Sequence, residues 1–110
     1  MECSTTGLAA DADSVWAACL SDPILFRIDP RTNQTTARIA VGHHSEGLAL
    51  GTDGLWVTSN AEDTLTLIKP ESNLATRVYS VGRGPLGVAV FQGELWAVMG
   101  EEDAVWRIKP

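Results

Sequence analysis

The sequence has few basic residues, few aromatic residues and no long apolar run, and each shortage excludes a class of protein. It carries 8 Lys and Arg against 14 Asp and Glu, which gives a formal net charge of −6. A nucleic-acid-binding protein needs a basic surface to displace counterions from phosphates, so we expect no nucleic-acid partner. No apolar run reaches the ~20 residues of a transmembrane helix, so we expect no membrane partner.

The first residues and the composition narrow the class of protein further. Residues 1–6 have neither the basic end nor the apolar stretch of a signal peptide, so none is expected in this chain. The residues are 45% apolar and 20% charged, a balance that supports a packed core and excludes disorder. A length of 110 residues fits one domain, which we predict over 1–110.

A gapless internal repeat of 40 residues is the dominant feature of the sequence. Chance does not align five columns of residues at three levels, and repeats of this length are typical of repeat folds. We divide the chain into units 7–46 and 47–86 and an incomplete third unit, 87–110. The five columns are Gly7, Gly47 and Gly87, then Ala9, Ala49 and Ala89, then Trp16, Trp56 and Trp96, then Ile28, Ile68 and Ile108, then Pro30, Pro70 and Pro110.

Each complete unit contains four short β-strands separated by turns. In the second unit, apolar residues 47–50 and 55–58 flank Asp53-Gly54, a dipeptide typical of hairpin turns. Segment 64–67 alternates with the period of a strand that has one buried face, and segment 76–81 is polar enough for a sheet edge. Four strands in about 40 residues are typical of one β-propeller blade. We therefore predict an all-β fold built from blades of four antiparallel strands, with eleven strands in all.

The units resemble the repeats of the YVTN-type and virginiamycin B lyase-like propellers, which are relatives of the NHL propellers. The resemblance rests on segments 81–90 and 95–98, on their counterparts 45–50 and 53–57, and on the strand and turn of 26–33, and it covers residues 7–110. The units do not show the repeated Gly-His and Trp-Asp pattern of WD repeats, nor the paired glycines of kelch repeats. The resemblance implies a bacterial, extracytoplasmic protein with about six or seven blades. Few members of this group are enzymes.

Under three blades form only a partial propeller, because known closed rings have at least four. The open faces around Trp16 and Trp96 and the open sheet edges invite association with another copy. We therefore predict a homo-oligomer, with a homodimeric six-bladed ring favoured over a trimer. The third blade then either lacks its outer strand or borrows one from residues 1–6. The competing hypothesis is a non-functional fragment of a larger propeller.

The candidate site lies at the mouth of the propeller channel, where a small-molecule or peptide ligand is the expected partner. The loops before each first strand and between each second and third strand lie on this face. Imidazoles bind metals and act as bases near pH 7, carboxylates suit Ca²⁺, and an arginine binds anions. The simpler interpretation is a solvated polar surface, so we predict no metal, no cofactor and no catalytic residue. The candidate ligand-binding residues are His43, His44, Glu46, Glu62, Asp63 and Arg83.

The resemblance also raises a metal-dependent, virginiamycin B lyase-like enzyme as the alternative function. His43, His44 and Glu46 are the residues that such chemistry would use. None of them lies in a family motif that matches position by position, so no catalytic role is carried over. We favour a binding or scaffold module and leave enzymatic activity open.

Two further expectations concern the cysteines and one tryptophan. Cys3 and Cys19 lie toward the same end of the first unit, so a disulfide is geometrically possible. Two reduced thiols are the favoured state. The tryptophans of the repeat column are expected between blades, whereas Trp106 belongs to no column and is expected at the surface.

Overall fold

A computed structural model describes residues 3–110, and within this range it contains eleven strands and no helix. The strands form three antiparallel sheets of four, four and three strands, each arranged in chain order. The prediction of an all-β partial propeller is confirmed. The described residues accordingly include no helix that could cross a membrane. The strands are β1 (Thr5–Ala10), β2 (Val15–Cys19), β3 (Ile24–Asp29), β4 (Gln34–Ala40), β5 (Ser45–Gly51), β6 (Gly54–Ser59), β7 (Thr64–Lys69), β8 (Leu74–Ser80), β9 (Pro85–Phe91), β10 (Glu94–Met99) and β11 (Ala104–Ile108).

We call the three sheets blades 1, 2 and 3, with β1, β5 and β9 as their inner strands. Blades 1 and 2 share local geometry down to single residues. The pairing of the third and fourth strands is irregular after Arg27 in blade 1 and after Leu67 in blade 2. The turn between these strands has a positive φ at Asn33 (60°) and at Asn73 (56°), a conformation that asparagine tolerates. The 40-residue repeat therefore describes three-dimensional structure and not only composition.

Neighbouring blades pack on one another face to face, so that only blade 2 is covered on both faces. We call the face toward the preceding blade the front face and the face toward the following blade the back face. Trp16, Ala18 and Leu25 on the back face of blade 1 form one buried core with the front face of blade 2. A second core joins the back face of blade 2 to the front face of blade 3. The buried residues of the two cores are Trp16, Ala18, Leu25, Ile39, Leu55, Val57 and Ile68, then Trp56, Leu65, Leu67, Leu95, Ala97 and Met99.

The repeated glycine of each inner strand permits a close approach between neighbouring blades. A Cβ atom at Gly7 would overlap the carbonyl oxygen of Glu46, and one at Gly47 would overlap the carbonyl oxygen of Leu86. These two carbonyls lie in β5 and β9, the inner strands of the following blades. At Gly87 there is no atom within 4 Å of the position that a Cβ would occupy. The same residue thus faces backbone in blades 1 and 2 and open space in blade 3.

A buried threonine links the inner strands of blades 2 and 3. The Thr58 hydroxyl donates to the Leu86 carbonyl oxygen and accepts from the Gly47 backbone N–H, both at 2.8 Å. Thr58 is 0% exposed, so water cannot replace either bond. This single side chain satisfies two backbone groups at the closest contact between the blades.

The exposure of the tryptophans corrects part of the expectation for an open arc. Trp16 is 0% exposed because blade 2 covers it, so the expectation that Trp16 lies on an open face is wrong. Trp96 is 39% exposed on the back face of blade 3, as expected. Trp106, at 38%, is also exposed, as expected.

The first hairpin corrects one further expectation and bears on a second. Cys3 and Cys19 form a disulfide, with their Cα atoms 5.8 Å apart, so the expectation of two reduced thiols is wrong. The bond forms because Cys3 precedes β1 and Cys19 ends β2, which places both at the same end of one hairpin. Thr5 and Thr6 belong to β1, the inner strand of blade 1, so these two residues are not available as an outer strand for blade 3, and residues 1–2 lie outside the described range.

Replacing Thr58 with valine is expected to destabilise the fold without changing the shape of the core. Thr58→Val removes the partner of the Gly47 N–H and of the Leu86 carbonyl at a part-buried contact, which costs about 1–3 kcal/mol. The measurement is urea unfolding at one fixed protein concentration. Thr35→Val on β4 is the matched control, since Thr35 is exposed. Equal unfolding free energies for the two variants would contradict the bridging role of Thr58.

Candidate functional site

In every blade, the loop that leads into the inner strand lies against the loop that follows the second strand. One backbone hydrogen bond recurs at this contact in all three blades. We call the end of the molecule that carries these paired loops the mouth. The repeated donors are Leu20, Asn60 and Gly100, and they donate to the carbonyls of Ser4 (2.8 Å), His44 (3.0 Å) and Gly84 (2.8 Å) in that order.

In blade 2 the two mouth loops are joined by His43 and Glu62. The Glu62 carboxylate accepts the His43 backbone N–H at 2.9 Å, and its Oε2 lies 2.7 Å from the Nδ1 of the same residue. The His43 N–H, followed by its ring, holds the pKa of Glu62 below the usual value of a glutamate. Both side chains are about half exposed, at 59% and 46%, so water screens the attraction between their charges.

Blade 3 repeats this contact with different residues. The Glu102 carboxylate accepts the Arg83 backbone N–H at 2.8 Å, and the Arg83 Nε lies 3.7 Å from Oε2 of Glu102. Asp63 adds a bond across the boundary between blades, because its Oδ1 accepts the Gly84 N–H at 2.9 Å. Carboxylates at the mouth therefore fix the backbone of the loops that lead into β5 and β9.

The six candidate residues do not all lie in the same kind of contact. His43, Glu62, Asp63 and Arg83 take part in the contacts that anchor the mouth loops. His44 is exposed with a positive φ of 56°, and its carbonyl accepts a loop hydrogen bond.

Glu46 lies within β5 rather than in the loop, because the strand begins one residue before it, at Ser45. The remaining anchoring residue, Glu102, was not among the candidates. The 40-residue spacing that relates His43 to Arg83 also relates Glu62 to Glu102, and this spacing is the signal that identifies it.

The mouth does not assemble a metal site from the residues in the described range. Among residues 3–110, no three histidine, cysteine, aspartate or glutamate side chains come together as possible ligands of one ion. Two cavities lined by described residues lie instead at the opposite end of the blades, with volumes of about 190 and 320 Å³. None of the six candidate residues lines either of them. The cavity-lining residues are Asp53, Trp56, Leu67, Lys69, Arg77, Tyr79 and Pro110, then Asp13, Ser14, Arg27, Asp29, Arg31, Thr36 and Asn73.

The Glu62 contact predicts a specific dependence of stability on pH. Because the pKa of Glu62 is lowered in the folded state, its contribution is complete above the pKa of the unfolded chain, near 4.3. The contribution is lost as the pH falls below that value toward the folded-state pKa. We expect Glu62→Gln to cost no more than about 1 kcal/mol at pH 7, given the exposure of the pair.

The measurement is the unfolding free energy of wild type and Glu62→Gln from pH 7 to pH 3. The difference between them should shrink as the pH falls. Glu71→Gln serves as the control because Glu71 is an exposed turn residue. A difference that stays constant across this range would contradict the assignment of the effect to the charged carboxylate.

Comparisons with known proteins identify the fold without assigning a family. No family model and no curated protein matches the chain. Among solved structures, a streptogramin B lyase structure matches with a TM-score of 0.82 at 18% identity, over 96% of this chain and 37% of that one. The WD40 β-propeller domain of Doa1 matches with a TM-score of 0.79 at 13% identity, over 94% of this chain and 36% of that one. Apo AztD from Citrobacter koseri matches with a TM-score of 0.78 at 12% identity, over 99% of this chain and 32% of that one.

These likenesses define architecture and leave activity undetermined. The chain spans 37%, 36% and 32% of these three structures, so it corresponds to about a third of each. At identities this low, the likeness concerns the fold alone. The chain is similar to part of several propellers, and its blades are β-propeller blades.

Proposed function

We propose that this chain is a β-propeller binding scaffold whose blades close into a ring with the blades of a second copy. One observation carries the proposal. The open back face of blade 3 repeats the back face that blade 1 buries against blade 2. Gly87, Ala89, Trp96 and Arg107 occupy the positions of Gly7, Ala9, Trp16 and Arg27.

The back face of blade 3 has the composition of a buried face but is exposed. Trp96, Val98 and Val105 are 39%, 44% and 65% exposed, whereas the residues at their positions in blade 1 are buried. Covering apolar surface stabilises an interface by roughly 25 cal/mol per Å². An exposed apolar face of this kind is typical of a surface that binds another protein surface.

The front face of blade 1 supplies the matching surface. Its apolar residues occupy the positions that face the preceding blade in blade 2, and Leu8 is 71% exposed there. The same chain therefore offers both halves of the interface that it already forms twice internally. This continuity supports a second copy as the partner. The matched positions are Leu8, Val15, Ala17 and Ile28 in blade 1 and Leu48, Leu55, Val57 and Ile68 in blade 2.

Two copies have the symmetry that such surfaces require. Each copy contributes one back face and one front face, so two head-to-tail contacts close a two-fold ring. Three blades from each copy give six, which is within the range of known propellers. A trimer would need nine blades and is disfavoured for that reason.

The binding role of the ring is assigned to its mouth. Closure would place the mouth loops of both copies around a single channel, with His43, His44 and Arg83 exposed on anchored backbone. Side chains on anchored loops bind a small molecule or peptide with less loss of entropy than those on free loops. The lyase-like alternative has less support, because the likeness to streptogramin B lyase, at 18% identity, concerns the fold alone.

The proposal predicts a concentration-dependent dimer of the 110-residue chain. Light scattering on a sizing column should give a mass near twice 11.8 kDa, and dilution should expose Trp96 and shift tryptophan emission to longer wavelength. A monomer at all concentrations would overturn ring closure by a second copy and favour a piece of a longer propeller. A trimer would overturn the six-bladed ring.

Replacing Gly87 should block closure without harming the chain itself. In the isolated chain the Cβ of Gly87→Ala meets nothing within 4 Å. In the ring it would overlap the Thr6 carbonyl of the second copy, which occupies the position of the Glu46 and Leu86 carbonyls. Forcing atoms into a packed contact costs about 1–3 kcal/mol at each of two junctions, so the dimer Kd should rise at least about 30-fold.

Gly47→Ala is the matched control, since the same methyl group there clashes within the chain. Gly47→Ala should lower the unfolding free energy, whereas Gly87→Ala should leave the melting temperature of the diluted monomer unchanged. An unchanged dimer Kd in Gly87→Ala would contradict the proposed register of the interface.

A further inference from the structure

The junction between blades 1 and 2 contains a polar contact centred on Arg27. Its Nη1 donates to the Pro70 carbonyl oxygen at 2.8 Å and to the Asn73 Oδ1 at 2.7 Å. Its Nε donates to the Ser14 hydroxyl of its own blade at 2.8 Å, and its guanidinium lies 4.5 Å from the Trp16 ring centroid. The partly buried Arg27 thus connects β3 of one blade to the outer turn of the next.

The junction between blades 2 and 3 lacks this contact. Leu67 of blade 2 occupies the position of Arg27 and is buried in the core between blades 2 and 3. The arginine is therefore not a general requirement for packing one blade on another. It distinguishes one junction from the other.

The components of the Arg27 contact recur on the two open faces of the chain. Arg107 occupies the position of Arg27 on the back face of blade 3 and lies over Trp96, with 5.7 Å to the ring centroid. In blade 1, Pro30 and Asn33 occupy the positions of Pro70 and Asn73.

The two turns that carry these acceptors have the same geometry. Asn33 and Asn73 have φ of 60° and 56°. Their backbone N–H groups donate to the carbonyls four residues earlier, Asp29 and Lys69, at 2.8 and 2.9 Å. The turn of blade 1 therefore presents its acceptors as the turn of blade 2 does.

The guanidinium of Arg107 is already oriented for the same contact. Glu94, at the position of Ser14, accepts from its Nε at 2.9 Å and from its Nη2 at 3.0 Å. Nη1, the atom that Arg27 directs to the next blade, has no hydrogen-bond acceptor among residues 3–110. The carboxylate orients the guanidinium in the free chain and leaves the required donor available.

We propose that Arg107 of one copy donates to the Asn33 side chain and the Pro30 carbonyl of a second copy, which fixes the register at each closing junction. This inference rests on the proposed ring and adds the contact that specifies it. The donor, Arg107, lies on the open face of blade 3, and the acceptors lie on the turn of blade 1, so each faces outward at one end of the chain. The contact therefore favours joining blade 3 to blade 1 over any other pairing of faces.

The test is a double-mutant cycle on dimer formation by the 110-residue chain, measured by sedimentation equilibrium. Arg107→Met removes the donors and keeps an apolar stem over Trp96. Asn33→Gly removes the acceptor and tolerates the positive φ of the turn. Each single change should weaken a junction about tenfold, and the dimer Kd about 100-fold, because two junctions carry the pair. The double variant should bind no more weakly than Arg107→Met alone, because Asn33 then has no donor to lose.

Asn73→Gly is the matched control, because it removes the same acceptor inside the chain. It should lower the unfolding free energy of the monomer, whereas Asn33→Gly should leave that value unchanged. A wild-type dimer whose single-variant effects simply add would overturn the Arg107 contact and leave the proposed ring in place. Absence of a wild-type dimer would overturn both.

Discussion

The close contact between neighbouring inner strands is the constraint on which the rest of the structure depends. Carbonyl oxygens of β5 and β9 occupy the space that a Cβ would need at Gly7 and Gly47. Blades that meet so closely at the inner strand diverge outward, and larger side chains must fill the widening space. Trp16 and Trp56 do so one strand further out, where both are buried. Glycine and tryptophan thus recur together because the first sets the spacing that the second fills.

A structure built from repeated blades is stabilised by contacts between neighbouring blades, and the faces at its two ends are the ones without such contacts. Repeat proteins that end at a terminal repeat cover it with a polar outer face. Blades 1 and 3 instead present apolar side chains such as Leu8 and Trp96, which are 71% and 39% exposed. These are interior faces without a neighbour. This difference supports the proposed ring closure, because equivalent positions of one chain are buried between blades and exposed at the end faces.

The sequence predicted most of the architecture because repetition marks residues that backbone geometry requires. The glycine, tryptophan and proline columns located the strands and turns before any contact was known. Packing of the column tryptophans between blades was predictable, but which end blade leaves its tryptophan exposed was not, since it depends on which face of blade 1 meets blade 2. Likewise, Glu62 was predicted at the mouth, but the backbone N–H that its carboxylate accepts, 19 residues away, was not predictable from the sequence. Patterns in sequence identify polar residues at the mouth, but hydrogen-bond geometry decides whether they bind ligands or hold loops.

The two ends of the blades carry contacts of different kinds. At the mouth, Glu62 and Glu102 satisfy loop backbone through the same geometry, although the loop residues they hold, His43 and Arg83, differ in chemistry. Anchoring of this kind uses backbone N–H groups, so the side chains of those loop residues are free to vary without loss of the fold. At the opposite end, Arg27 bonds to the Asn73 side chain in the outer turn of the next blade. Leu67 occupies the same position in blade 2, so that junction has an apolar contact in place of a polar one. In the proposed ring, ligand specificity and assembly would therefore change independently, the first through mouth side chains and the second through the residues at the blade junctions.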